Sequence, residues 1–356
     1  MENPRRYIKV LIVDDSAFMR NTIKTMIASD PDIQVVGVAR DGVEAIDKVA
    51  TLKPDIVTLD VEMPRMNGIE ALKIIMEKYP LPVIMVSSLT TEGAKVTLDA
   101  LDIGAVDFIP KNLSELSLNI VNIKLMLIDK IKQIGSKGFR VAKKTSRVSR
   151  TRATAHAPTA KNVQFTSSKR MNIIAIGTST GGPKALQSIV PLLPKNISIP
   201  VVISQHMPYS FTGPFAERLN QISQVCVKEA KNGEKLQSGI VYIAPGCGHM
   251  SIVKKGIERY ISISESNEFI YKPSVDVMML SVAQLYPGSC LGVILTGMGN
   301  DGLKGMKAIK EGDGRTIAQD EESCVVYGMP KAVVDAGIVD KIVPLSEVAG
   351  EIINSI

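Results

Sequence analysis

From Ser136 to Arg170 the chain runs 35 residues with ten Lys or Arg and no Asp or Glu. Ser, Thr and Ala are plentiful there, and few large apolar side chains interrupt them. Such a segment cannot bury enough apolar surface to offset the entropy of ordering its backbone. The sequence therefore predicts a solvated, flexible basic linker over 135–170, separating two folded bodies, 1–134 and 171–356. Charge sharpens the division. The whole chain is +6, whereas the 32 basic and 36 acidic residues outside the stretch sum to −4.

Each body is long enough to enclose its own core. No apolar run approaches the roughly 18–20 residues that cross a bilayer. Met1 to Lys9 leads into a strand-like run without the apolar region of a signal peptide. A cytoplasmic protein with no membrane insertion is expected. Cys226, Cys247, Cys290 and Cys324 lie far apart with no C-x-x-C pair, which predicts reduced, mostly buried thiols and no zinc site. The basic excess is confined to the linker, with only Phe139 and Phe165 interleaved, so no nucleic-acid partner is expected.

In the first body, strand-like runs at Ile8–Val13, Ile33–Ala39, Ile56–Leu59, Val83–Val86 and Val106–Ile109 alternate with helical patterns such as Phe18, Met19, Ile23, Met26 and Ile27. Fivefold strand–helix alternation predicts an α/β body, a parallel sheet with helices on both faces. Functional groups of such sheets collect at the carboxyl ends of the strands. There the sequence places Asp14 and Asp15, then Asp60, then Ser87 and Ser88, and then Lys111. Three converging carboxylates repel unless a cation joins them, and hard oxygen ligands favour Mg²⁺. A nearby hydroxyl and ammonium suit the equatorial oxygens of a phosphoryl group.

These features, with the stretches Val13–Ser16, Leu59–Pro64, Met66–Gly68 and Phe108–Lys111, resemble the receiver domain of two-component response regulators over about residues 7–130. The resemblance implies a (βα)5 receiver in which Asp60 accepts a phosphoryl group from a histidine kinase. It implies Mg²⁺ held by Asp15, Asp60 and the Glu62 backbone carbonyl, with Asp14 in support. Ser87 and Lys111 would contact the phosphoryl group, and Phe108 would be the switch aromatic. Asn112 stands where that family usually has a proline after the lysine, so a cis bond there is not expected.

The second body opens with a buried strand at residues 172–176, the turn Gly177-Thr178-Ser179-Thr180-Gly181-Gly182-Pro183, and a helix from Lys184 towards Leu193. Pro183 suits the first turn of that helix. Ser179 is thereby placed at a sheet edge beside backbone N–H groups able to stabilise an oxyanion. The turn reads first as a nucleophile elbow, with a simple packing turn and a phosphate-cradling loop as alternatives, the last lacking the Walker lysine and the Gly-x-Gly-x-x-Gly spacing. A nucleophilic serine needs a base. His156 lies in the linker; His206 follows the strand Val201–Ser204; His249 sits in a Gly-rich loop after Ile240–Ala244. Position favours His206 over His249. An orienting carboxylate is offered by Asp301, in a second glycine-rich turn after the strand at 290–295. Asp276, Asp313 and Asp320 follow no clear buried strand. The chain order Ser, His, Asp differs from the Ser, Asp, His of most α/β-hydrolases.

Residues 171–350 resemble the catalytic domain of the CheB family of chemotaxis protein-glutamate methylesterases. The resemblance is carried by Ile176–Gly182, Gln205–Pro208, Pro273–Val277, Ile294–Gly302 and Cys324–Pro330. It implies a doubly wound, mainly parallel α/β domain with Ser179 as nucleophile, His206 as general base, Asp301 as its orienter, and Thr180 and Met298 lining the oxyanion region. Family members often have Ala where Thr178 stands, and activity is expected to survive that change.

The implied reaction is hydrolysis of glutamate 5-methyl esters on the cytoplasmic helices of chemoreceptors, with methanol released, and deamidation of receptor glutamines by the same acyl chemistry. Ester hydrolysis would need no cofactor; Mg²⁺ would serve the receiver alone. A chemotaxis histidine kinase would supply the phosphoryl group. An unphosphorylated receiver covering the Ser179 face is the expected form of control. Two rival readings are a non-enzymatic regulator whose second body binds a partner, and a hydrolase of small esters.

Overall fold

The computed structural model describes residues 7–111, 120–135, 170–265 and 271–356. Asn112, His156 and almost all of the basic segment lie outside the described residues, as do Phe139 and Phe165.

The first body runs β1 (Ile8–Val13), α1 (Ala17–Ile27), β2 (Ile33–Ala39), α2 (Gly42–Leu52), β3 (Ile56–Asp60), α3 (Gly68–Lys78), β4 (Val83–Ser87), α4 (Thr91–Ile103), β5 (Asp107–Pro110) and α5 (Ile120–Gly135). Its sheet is parallel, in the order β2-β1-β3-β4-β5. Helix starts follow side-chain caps. Ser16, Asp41, Asn67 and Thr90 each accept a backbone N–H from the first turn of α1 to α4, and Asn67 forms a reciprocal box with Glu70. Met19, Ile23, Met26 and Ile27 of α1 are buried as expected, but Phe18 is exposed. At about 100° per residue Phe18 falls on the face of Thr22 and Thr25, outside the apolar stripe.

The second body runs β6 (Ile173–Thr178), α6 (Gly182–Ile189), β7 (Val201–Gln205), α7 (Tyr209–Ile222), β8 (Cys226–Glu229), β9 (Ile240–Ile243), β10 (His249–Lys255), β11 (Glu258–Ser264), α8 (Val275–Leu285), β12 (Cys290–Ile294), α9 (Leu303–Glu311), β13 (Arg315–Gln319), α10 (Met329–Asp335), β14 (Lys341–Val343) and α11 (Leu345–Ile353). Seven parallel strands are ordered β14-β13-β12-β6-β7-β9-β8, and β10–β11 is a separate antiparallel hairpin. The strand order reverses at β6, which has β7 on one side and β12 on the other, the switch point where ligand sites form in such sheets. The helix expected to run towards Leu193 ends at Ile189 and tightens into a 3-10 turn over Val190–Leu192. Pro191 lacks the N–H that would continue it.

The two bodies pack together. α4 lies along α7, where Phe108 of β5 stacks on Phe211 with ring centroids 4.4 Å apart and 12° between planes. Arg218 of α7 donates to Asp99 at 2.7 Å and to Asp102, both on α4. Met298 and Val326 share one apolar cluster with Ile109, Leu127 and Ile128 of the first body. The expectation of mostly buried thiols is corrected: Cys290 is buried, but Cys226 and Cys247 are exposed and Cys324 is intermediate. Cys226 opens β8, an edge strand, and Cys247 lies in a loop, so neither position is covered. No helix among the described residues is long and apolar enough to cross a membrane.

Candidate functional site

Three neighbouring strands, β12, β6 and β7, deliver Asp301, Ser179 and His206 to one carboxyl edge. Ser179 Oγ lies 3.1 Å from His206 Nδ1, and His206 Nε2 lies 2.7 Å from Asp301 Oδ2. With Asp301 accepting, the proton of the neutral ring sits on Nε2, and Nδ1 is left to accept from Ser179.

Gly181 makes the turn possible. It adopts φ +77°, and a Cβ there would meet the Val325 side chain at 2.7 Å. Gly297 gives the second turn its close approach, since a Cβ would fall 2.9 Å from Ser179 Cβ and 2.3 Å from Met329 Sδ. Thr296 locks the two turns together. Its carbonyl accepts from Ser179 N at 3.0 Å and from Thr178 Oγ1 at 2.8 Å, and its hydroxyl donates to the Thr180 carbonyl at 2.9 Å. Ser179 N–H therefore faces Thr296 and Gly182 N–H faces the Ser179 carbonyl, which leaves Thr180 and Gly181 as the turn N–H groups outside these two contacts. The Thr180 hydroxyl is buried without a hydrogen-bond partner, and Met298 is buried.

Asp301 is gripped by the start of α8. Oδ1 accepts from Ser274 Oγ at 3.1 Å and Asp276 N at 2.9 Å; Oδ2 accepts from Val275 N at 2.7 Å besides His206. Burial opposes its charge. The His206 hydrogen bond and charge, with those N–H groups, nonetheless hold its carboxyl below the usual range. Asp276 turns away to cap α9 through Gly305 N at 2.9 Å, and burial pushes its carboxyl up.

Several contributors were not foreseen. Gln205 Nε2 donates to the carbonyls of both Ser179 and His206, at 3.0 and 2.9 Å. Tyr271 stacks on the His206 ring at 4.8 Å. Ser274 carries a local helix-start signal, but its bond to Asp301 spans 27 residues and has none. A hydroxyl hydrogen-bonded to an imidazole that is held by an ionised carboxylate can lose its proton as it attacks a carbonyl.

A second cluster occupies the carboxyl edge of the other sheet. Asp14, Asp15 and Asp60 each bring an oxygen within 4.8 Å of the others. Lys111 Nζ lies 2.7 Å from Asp60, 3.6 Å from Asp14 and 3.8 Å from Asp15. Burial pushes Asp60 up to about 6, against the pull of Lys111. Burial also pushes Asp14 up, and its Oδ2 has no hydrogen-bond partner. An orphaned buried oxygen beside two further carboxylates fits a hard divalent cation. Ser87 is buried at the end of β4 and accepts from Thr97 Oγ1 at 2.7 Å. Phe108 turns from this cluster towards Phe211, and Glu62 follows β3 in an exposed loop.

Residues 174–352 match the family described as CheB methylesterase, and residues 10–120 the family described as response regulator receiver domain. Over 98% of its length the chain is 46% identical to a protein of Lawsonia intracellularis and 47% identical to one of Nitratidesulfovibrio vulgaris, covering 99% of each. Both relatives bear the name protein-glutamate methylesterase/protein-glutamine glutaminase, the second with the suffix 2. The crystal structure of the Thermotoga maritima CheB methylesterase catalytic domain aligns with 52% of this chain and 99% of its own, at 41% identity and a TM-score of 0.51.

Proposed function

Because this chain belongs to the CheB methylesterase family and carries a response-regulator receiver, we propose that Ser179, His206 and Asp301 perform its ester hydrolysis and that Asp60 controls it. The chain is a phosphorylation-regulated protein-glutamate methylesterase and glutaminase. The observation that carries the site assignment is the unbroken hydrogen-bonded line from Ser179 through His206 to Asp301.

Ser179 Oγ attacks the ester carbonyl carbon and passes its proton to His206 Nδ1. The carbonyl oxygen takes the negative charge beside the N–H groups of the Ser179 turn and Met298. Asp301 stabilises the imidazolium through Nε2. As the tetrahedral centre collapses, the C–O bond to the methoxy group breaks and His206 returns the proton, so methanol leaves. Water then attacks the acyl-serine with His206 again as base, and glutamate and Ser179 are restored. With a glutamine side chain the same cycle releases ammonia. The substrates in this reading are glutamates and glutamines on the cytoplasmic helices of chemoreceptors, and the reaction proceeds in the cytoplasm.

Asp15, Asp60 and the Glu62 carbonyl, supported by Asp14, would hold Mg²⁺, which would offset the charge of an incoming phosphoryl group. Lys111 already touches Asp60, and Ser87 would turn its hydroxyl from α4 to a phosphoryl oxygen. A chemotaxis histidine kinase is the proposed donor. Unphosphorylated, the receiver sits over the loops beside Ser179, where Met298 and Val326 pack with it. Division of the chain at 134–135 and 170–171 remains part of this proposal.

The test is methanol release from methylated receptor membranes by wild type, Ser179→Ala and Asp60→Asn, each with a phosphodonor. Release should vanish in Ser179→Ala and lose its stimulation in Asp60→Asn. Undiminished release from Ser179→Ala would remove the nucleophile assignment.

A further inference from the structure

Three histidines occur in the chain, and His249, the first residue of β10, is fully buried without belonging to the line above. Its Nδ1 accepts the backbone N–H of Ser274 at 3.0 Å. Since an N–H points at that nitrogen, Nδ1 carries no proton and the ring is the Nε2–H tautomer. Ser274 is the N-cap of α8 and is itself buried. With Val275 and Asp276 it wraps the Asp301 carboxylate through one hydroxyl and two backbone N–H groups. The same turn is held on its other side by Ser204 Oγ, which donates to the Pro273 carbonyl at 2.9 Å. Asp301 can therefore aim at His206 only as well as the 273–276 turn is fixed, and His249 accepts the one N–H of Ser274 in that turn.

We propose that His249 is a positioning residue for ester hydrolysis: through Ser274 it fixes the backbone cradle that orients Asp301 towards His206. This rests on the assignment of Ser179, His206 and Asp301 above. Loss of the acceptor would leave a buried N–H orphaned, and the turn would shift to find another partner. A displacement of about 1 Å in a supporting group is enough to lower a rate by about 100-fold.

The test uses the full-length protein with a phosphodonor and compares His249→Leu, which has no acceptor, with His249→Asn, whose Oδ1 can take the place of Nδ1. Ser179→Ala runs in parallel. Three readouts are taken: kcat and KM for methanol release from methylated receptor membranes, the rate at which a fluorophosphonate labels Ser179, and the low-field proton resonance of the His206–Asp301 bond. His249→Leu should lose about 10- to 100-fold in kcat with KM unchanged, slow the labelling in proportion, and lose or shift the low-field resonance. His249→Asn should stay within about threefold of wild type on the same scale and keep the resonance. A folded His249→Leu with wild-type kcat and resonance overturns the proposal, as does a folded His249→Asn as impaired as His249→Leu. Should His249→Leu fail to fold, His249→Asn decides: the kept rate and resonance support the proposal, and their loss overturns it. Full methanol release from Ser179→Ala would overturn the nucleophile assignment and this proposal together, whereas an inactive Ser179→Ala beside a normal His249→Leu overturns this proposal alone.

Discussion

Replacing Arg218 by Ala should raise the methanol-release rate of the unphosphorylated protein about fivefold. Arg218 joins α7 to α4 through Asp99 and Asp102, and touches neither Ser179 nor the carboxylates around Asp60. The two acids are 58% and 37% exposed, so each pair is discounted to about 0.2–1 kcal/mol. Together they favour the covered arrangement by roughly 1 kcal/mol, which is about a fivefold change in the fraction of uncovered sites. The gain cannot exceed the rate of the receiver-free catalytic domain. Assays at saturating methylated receptor membranes without phosphodonor read it directly. Because exposed pairs are screened, raising salt should stimulate wild type and leave Arg218→Ala nearly unchanged. Exchanging charges, Arg218→Asp with Asp102→Arg, should restore part of the inhibition. If Arg218→Ala kept the wild-type basal rate while deletion of residues 1–134 raised it, the α4–α7 contact would have no part in inhibition. If the change stimulated the isolated catalytic domain equally, its effect would be internal to that domain.

Asp301→Asn preserves size but removes the charge opposite His206, and kcat should fall by about three to four orders of magnitude; an unchanged kcat would refute the orienting role. Asp60 is buried and its folded value near 6 lies above the unfolded 3.8, so its contribution is fully present below 3.8 and lost as pH rises through 6. In chelator, the stability of Asp60→Asn relative to wild type should therefore grow by about 2 kcal/mol between pH 4 and 7, and Mg²⁺ should narrow the gap; denaturant titrations that give a constant difference contradict this. Thr178→Ala removes the hydroxyl bonded to the Thr296 carbonyl and should lower stability by about 1 kcal/mol while kcat stays within about twofold, which thermal unfolding and the methanol assay would check.

Local pattern carried much of this architecture into view. Strand runs and glycine turns are short-range signals, and they placed Asp14, Asp60, Ser179, His206 and Asp301 at strand ends where parallel sheets keep their working groups. Strands β3 and β4 extend one residue beyond the apolar runs, to Asp60 and Ser87, because Asp60 pairs with Val86 and Ser87 with Pro110. What stayed hidden is long-range. No periodicity indicates that Ser274 and Asp276 grip Asp301, that Gln205 links two carbonyls through one amide, or that Phe108 meets Phe211 across the two bodies. Position favoured His206 over His249 for the base. In the structure one lies against Ser179 and the other accepts from Ser274, whose hydroxyl reaches Asp301, so the two arrive at the site by different routes.

Two routes leave the Asp60 cluster, and both arrive at α7. One runs from Ser87 through its hydrogen bond with Thr97 into α4, whose Asp99 and Asp102 hold Arg218. The other runs along β5, since Phe108 stands three residues before Lys111 and stacks on Phe211. α7 begins three residues after His206, so a tilt of this helix would reach the base through a short, nearly inextensible segment. Two mechanisms of control then differ in what they predict. If the receiver is only a cover, weakening its hold at Phe211 or at Arg218 acts on one docking equilibrium, and the phosphorylated rate equals that of the isolated catalytic domain. If α7 itself has two positions, phosphorylation changes the aim of His206 as well as the exposure of Ser179, and the phosphorylated rate departs from that of the isolated domain. Spatial intermediacy alone does not establish the second mechanism. A Phe211→Leu change that alters kcat in the isolated domain, where there is no receiver to cover the site, would.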